Sequence, residues 1–241
     1  MPDPESQNMQ PFPVAEATLA VLARTETWVF DLDNTLYPAA CNLFAEVDVR
    51  IGRYIADLLS ISAEDARVVQ KHYFREYGTS LRGLMMHHSI DPLDYLDYVH
   101  DIDVTRVSPS PDLAEALDTL PGRKLIFTNG SSAHAERVMN RLGVADRFEA
   151  VFDIIEAEYL PKPEPAVYAA LVGRHAIDPR RAVMVEDIAR NLVPAAALGM
   201  TTAWVCGDSH WGNEGAEGDH VHHVVDDLVG WLTQIGTRVQ R

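Results

Sequence analysis

Residues 29–37 read V-F-D-L-D-N-T-L-Y, an apolar run that closes on two aspartates one residue apart. Side chains on a strand alternate between its two faces, so in an extended segment Asp31 and Asp33 project to the same side while Leu32 turns away. Two like charges held that close call for a cation or a shared proton. The preceding residues 28–32, W-V-F-D-L, are short, apolar and rich in aromatic and β-branched side chains. That is the composition of a strand buried on both faces of a parallel sheet.

Comparable runs return at 124–128, 150–155, 182–186 and 202–206, so five strands are expected. The segments between the later strands carry helical punctuation: Ser131 as a cap with Gly143 as a stop, a helix over 163–175, and another over 189–198 ending at Gly199. A closing helix is expected over 226–235, after a Gly- and acid-rich loop at 207–219. Strand and helix in alternation give a parallel sheet covered on both faces.

The gap between the first two strands far exceeds the roughly 30 residues that a strand–helix–strand unit needs. Residues 41–101 within it read as helices, with Ser62 and Asp65 as a capping pair, a stop at Gly78, and Asp91-Pro92 opening a further helix. The chain therefore divides into a loose, Pro-rich tail over 1–16, an α/β core over 17–37 and 108–241, and an all-helical cap over 38–107. Ser110-Pro111 marks the return to the core.

At 241 residues and 47% hydrophobic content the chain can bury a sizeable core. Twenty Lys and Arg against 36 Asp and Glu give a formal charge of −16. That charge argues against nucleic acid or an anionic membrane as a partner, and an anionic small substrate would need a local positive trap. The first twenty residues lack the basic start and apolar middle of a secretory signal, and no 18-residue apolar run exists. With Cys41 and Cys206 far apart, neither a disulfide framework nor a multi-cysteine zinc site is suggested, and a cytoplasmic protein is expected. His220, His222 and His223 form an H-x-H-H without acids or cysteines suited to partner them in a metal site.

Ligands of open parallel sheets bind beyond the carboxyl ends of the strands. The first strand delivers Asp31 and Asp33 there, the second Thr128-Asn129-Gly130-Ser131 leading into a helix, and the fourth Glu186-Asp187, while Lys162 follows the third. A hydroxyl, backbone N–H groups and an ammonium suit phosphate oxygens. Clustered carboxylates suit Mg²⁺, which takes one or two of them plus water and substrate phosphate.

D-L-D-N-T, T-N-G-S, the Lys162 of P-K-P, and V-E-D resemble, in order, the four motifs of the haloacid dehalogenase superfamily of phosphatases. D-N-T-L-Y, with R-E-Y-G-T-S-L-R-G-L-M in the cap, resembles more narrowly the pyrimidine 5′-nucleotidase branch. The resemblance implies a Rossmann-like core with a helical cap, and Asp31 as the nucleophile that forms an aspartyl-phosphate. It implies Asp33 as general acid and base, starting protonated because neighbouring carboxylates oppose a further charge. Mg²⁺ would be held by Asp31, the Asp33 carbonyl, Asp187 and Glu186, the last directly or through water, and the phosphoryl group by Thr128, Asn129 and Lys162. Motif four reads Glu-Asp here rather than Asp-Asp, and Asn191 stands where some relatives carry a further acid. Arg82, His87 and Tyr77 are the cap residues expected to read the leaving group, with Tyr37 at the wall of the entrance or in the core.

The expected activity is therefore Mg²⁺-dependent hydrolysis of a phosphomonoester, a pyrimidine nucleoside 5′-monophosphate by resemblance. Phosphosugar or phosphoglycolate phosphatase, 2-haloacid dehalogenase and an idle phospho-ligand or protein-binding module are the rivals. The dehalogenase is disfavoured because carbon–halogen displacement does not need the acid and base that Asp33 supplies.

Overall fold

The computed structural model describes residues 16–207 and 212–239. The tail expected over 1–16 lies outside the described residues except for Glu16, which opens the first helix. The chain runs α1 (Glu16–Leu22), β1 (Thr27–Phe30), α2 (Leu43–Leu59), α3 (Ala63–Tyr77), α4 (Ser80–His88), α5 (Pro92–His100), α6 (Pro111–Thr119) and β2 (Arg123–Phe127). It continues α7 (Ser132–Leu142), β3 (Ala150–Phe152), α8 (Pro165–Arg174), β4 (Ala182–Glu186), α9 (Leu192–Leu198), β5 (Thr201–Val205), β6 (His223–Val225) and α10 (Leu228–Val239).

The strands form one sheet in the order β3-β2-β1-β4-β5-β6, and every pairing is parallel. Alternation along β1 sends Val29 to one face with Phe127, Met184, Tyr168 and Leu192, and Trp28 and Phe30 to the other with Val183, Leu117 and Leu232. All three β1 side chains are fully buried, each stabilising the fold by about 1.5–3 kcal/mol through removal from water. β1 sits between β2 and β4, so the segment that carries the two aspartates issues from the interior of the sheet.

Two strand expectations change. The run at 150–155 pairs only to Phe152, because the Asp153 carboxylate accepts hydrogen bonds from Ile155 N (3.0 Å) and Glu156 N (2.8 Å) and turns the chain. A sixth strand, His223–Val225, is added beside β5 where five strands were expected. Thr202 steers the histidines that precede β6: its N–H donates to His222 Nδ1 at 3.0 Å and its hydroxyl to the His220 carbonyl at 2.6 Å. Two members of the H-x-H-H are thus hydrogen-bonded to Thr202, and His223 enters the sheet.

Helices α2–α5 lie between β1 and α6 in sequence and pack on one another as the inserted cap. Their starts follow the capping chemistry: the side chains of Ser62, Thr79 and Asp91 accept from the first-turn N–H groups of α3, α4 and α5. α3 and α4 pack so closely that a Cβ on Gly83 would lie 2.4 Å from the Tyr73 ring. The cap is seated on the core along the loop that carries Lys162. Gly78, at φ +83°, brings its Cα so near that loop that an added Cβ would meet Pro161 Cγ at 2.9 Å. Arg82 pairs with Glu164 of the same loop at 3.3 Å. Among the described residues no helix is long and apolar enough to cross a membrane.

Candidate active site

Asp31 follows the last paired residue of β1, with its N–H donated to the Val185 carbonyl of β4. Its two carboxylate oxygens have separate partners: Oδ1 accepts from Lys162 Nζ at 2.7 Å and Oδ2 from the Thr35 hydroxyl at 2.9 Å. Lys162 is itself buried, and Nζ also donates to Glu186 Oε2 at 2.6 Å and to the Phe127 carbonyl at 2.9 Å. An ammonium has three protons, and here all three are engaged. Burial opposes charge on this lysine, but Asp31 and Glu186 outweigh it and hold the ammonium above its usual range.

Glu186 is occupied as well, since Oε1 accepts from Ile188 N at 3.2 Å. Asp31, Glu186 and Asp187 each offer an oxygen within 4.8 Å of the others. Burial, then the Glu186 charge, pushes the Asp31 carboxyl up to about 7. Burial, then Glu186 and Asp31, holds Asp187 well above the usual carboxylate range. Three clustered carboxylates against one ammonium leave negative charge uncompensated in a largely buried site. Hard oxygen donors with that surplus fit a divalent cation such as Mg²⁺. Asn191 is buried at the start of α9, and its carbonyl accepts from the Tyr168 hydroxyl at 2.5 Å. A cavity of about 620 Å³ adjoins the trio through Asp187 and is lined by Asn34, Thr35 and both cap linkers, 37–41 and 106–110.

The end of β2 supplies a second set of groups. Thr128 is buried and its hydroxyl oxygen accepts from Gly130 N at 2.9 Å, which leaves the hydroxyl proton for another acceptor. The Asn129 side chain closes on the main chain of Lys162, accepting from its N–H at 2.8 Å and donating to its carbonyl at 3.4 Å. It thereby sets the lysine's position. Ser131 caps α7 by accepting from His134 N at 3.3 Å, and Asp153 accepts from Ser132 N at 2.7 Å.

A family model for haloacid dehalogenase-like hydrolases matches residues 25–199. The chain belongs to that family. Phosphate metabolism protein 8 of Saccharomyces cerevisiae is 28% identical over 191 residues, an alignment covering 73% of this chain and 60% of that protein. Among solved structures, CbbY from Rhodobacter sphaeroides in complex with phosphate is similar at a TM-score of 0.59 and 16% identity, covering 85% of this chain and 95% of that one. A HAD phosphatase from Thermococcus onnurineus is similar at 0.57 and 19%, covering 86% and 95%. The L-2-haloacid dehalogenase of Xanthobacter autotrophicus with chloropropionic acid covalently bound is similar at 0.54 and 18%, covering 90% and 98%. At these identities the structures share the fold.

Asp33 departs from what the family motif suggested. Its Oδ1 accepts from the Tyr37 hydroxyl at 2.5 Å and lies 2.8 Å from His134 Nε2. Burial pushes this carboxyl up, but the His134 charge and hydrogen bond and the Tyr37 hydrogen bond outweigh it, so it sits below its usual value. The expectation that neighbouring carboxylates keep Asp33 protonated is therefore corrected. Their repulsion falls mainly on Asp31 and Asp187, while Asp33 is turned toward donors. Tyr37 is buried and bonded to the site rather than only walling it. His134 was not anticipated; its signal is its place three residues beyond the cap Ser131, which puts it in the first turn of α7. The cap residues pair with one another and with the core loop: Tyr77 with His87 (2.7 Å), and Arg82 with Glu164.

Proposed function

We propose that this haloacid dehalogenase-like hydrolase is a Mg²⁺-dependent phosphomonoesterase that works through an aspartyl-phosphate on Asp31, with a pyrimidine nucleoside 5′-monophosphate as substrate. The observation that carries the reading is the Asp31–Lys162–Glu186 contact with Asp187 alongside, next to an Asp33 held in a separate set of hydrogen bonds. Asp31, Asp187 and the Asp33 carbonyl would hold Mg²⁺, with Glu186 behind them as the lysine's counter-ion, and the ion would supply charge neutralisation at the phosphoryl group. Lys162 and Thr35 fix the two oxygens of Asp31, so the nucleophile presents one orientation to phosphorus. The Thr128 hydroxyl and the Asn129 N–H donate to the equatorial oxygens, where charge is spread in the transition state.

Asp33 then moves the protons. Arrival of a dianionic ester beside it raises its proton affinity, so Asp33 takes up a proton from solvent as the ester binds and delivers that proton to the leaving alkoxide as the ester bond breaks. As the carboxylate left behind, it takes a proton from the water that attacks the aspartyl-phosphate, releasing phosphate and restoring Asp31. The nucleotide assignment draws on D-N-T-L-Y and the cap phrase at 75–85, while the yeast relative named for phosphate metabolism bears only on phosphate chemistry.

Phosphate release from purified protein, measured over nucleoside 5′-monophosphates, phosphosugars and phosphoglycolate with Mg²⁺ and then EDTA, tests both levels. Mg²⁺-dependent release greatest with UMP or CMP is expected. Best release from a sugar phosphate keeps the mechanism and discards the substrate, and no release from any ester discards the phosphatase.

A further inference from the structure

Two donors converge on one oxygen of Asp33. The Tyr37 hydroxyl (2.5 Å) and His134 Nε2 (2.8 Å) both meet Oδ1, and Oδ2 has no hydrogen-bond partner among the described residues. An ionised carboxylate only accepts, so Nε2 carries the hydrogen in this contact. The other ring nitrogen, Nδ1, is buried and makes no hydrogen bond. Behind His134 lies His100, the last residue of α5, stacked ring on ring at 4.4 Å between centroids and 10° between planes. His100 Nδ1 in turn lies 3.0 Å from the Ser131 hydroxyl. The His134 side chain is fully enclosed, with the His100 ring against one face.

We infer that Tyr37 and His134 are positioning residues for Asp33: they lock Oδ1, leave Oδ2 as the oxygen that gives and takes the proton, and thereby set how well a poor leaving group departs. The inference rests on the phosphomonoesterase reading above. Tyr37 opens the first cap linker and His100 ends the last cap helix. The brace is therefore built where the cap joins the core, from residues outside the carboxylate trio. In balance it changes nothing: the proton still passes from Asp33 Oδ2 to the alkoxide and returns from water, while Tyr37 and His134 keep theirs.

The test compares two esters within each enzyme preparation, p-nitrophenyl phosphate, whose leaving group needs little protonation, and a simple alkyl phosphate, whose leaving group needs it fully. The ratio of their kcat/KM values is independent of the folded fraction. Tyr37→Phe, which keeps the ring, and His134→Leu are each expected to lower kcat/KM for the alkyl ester about tenfold or more, with p-nitrophenyl phosphate changed much less in its first turnover. Nitrophenolate should then appear as a burst of about one equivalent, because hydrolysis of the aspartyl-phosphate also needs Asp33. His134→Gln, which restores an N–H donor, should recover part of the loss on the alkyl ester. An equal fall on both esters, or no fall on either, overturns the positioning role while leaving the phosphatase in place. A wild-type protein inert toward both esters overturns the phosphatase reading itself, and the brace with it.

Discussion

The carboxyl end of the sheet and the helical cap meet along the loop that carries Lys162, yet they hold their polar side chains differently. At the sheet end the carboxylates are tied to groups far away in sequence: Asp31 to Lys162, 131 residues on, and Asp33 to His134, 101 residues on. In the cap the polar rings pair with neighbours, Tyr77 with His87 and Tyr73 with His88, ten and fifteen residues apart. The first arrangement is buried and charged, so removing one member strands another in a dry site. The second, apart from the buried Tyr73, is half-exposed or exposed, so removing His87, His88 or Tyr77 lets water take its place. Chemistry is thereby fixed at the sheet, and the cap is left free to differ.

The hardest blow to that contrast comes from the nucleophile. Asp31→Asn is expected to lower phosphate release by at least about 10³-fold, and a variant retaining a tenth of wild-type turnover would break the account of the sheet end. Next in size is Lys162→Met, which leaves Asp31 and Glu186 buried without their cation. Urea unfolding of the metal-free protein should show a loss of about 3–5 kcal/mol, and a change below 1 kcal/mol would mean that the ion pair is not what stabilises this end of the sheet.

A smaller effect separates the carboxylate trio from ordinary surface acids. With the Asp31 carboxyl raised to about 7, a proton occupies it below that pH and must leave before a divalent cation binds. The Mg²⁺ concentration for half-maximal rate should fall as pH rises from 6 toward 7, by up to about tenfold per unit, and then level off. A requirement that stays flat over that interval would contradict the clustered charge.

His100 tests where cap and core join. Burial, then the His134 charge, lowers its pKa from 6.5 to about 3. Between those values the unfolded chain carries the proton and the folded protein does not, so stability falls as pH drops through 6.5. The contribution is at most about 1.4 kcal/mol per pH unit. His100→Phe should flatten the acid side of a stability-against-pH curve by that amount, and an unchanged slope would show that the ring does not resist protonation. Least is expected of Arg82→Ala, whose partner Glu164 is 46% exposed at the side chain. Stability should fall by less than about 1 kcal/mol. A large fall in kcat, with KM unchanged, would show that the cap takes part in the chemistry.

The sheet was legible because each buried strand is an apolar run that ends in a polar group, as W-V-F ends at Asp31 and A-V-M-V at Glu186. β6 was not, since three residues give no period and its register is set by Thr202 meeting His220 and His222. The carboxylates, Thr128 and Lys162 could be found from the order of their motifs. Their pairing could not: that Glu186 serves Lys162, that Asn129 clasps the lysine's main chain and that His134 meets Asp33 are properties of the folded chain. The protonation of Asp33 was misjudged for the same reason, because His134 lies outside V-F-D-L-D-N-T-L-Y and the stretch does not show that its own Tyr37 hydroxyl turns back on Asp33; together they outweigh the effect of burial.

The separation between Asp31 and Lys162 also bears on synthesis. A chain emerging from the ribosome displays both aspartates and all of α2–α5 before any of β2, β4 or the lysine has been made. The cap helices draw their mutual contacts from one continuous stretch, 43–100, and β1 must wait for partners that come later. Until residue 162 has left the exit tunnel the nascent protein carries Asp31 at the end of an apolar strand without the lysine that receives it in the fold, whereas the partners of Asp33, Tyr37 and His134, are made earlier.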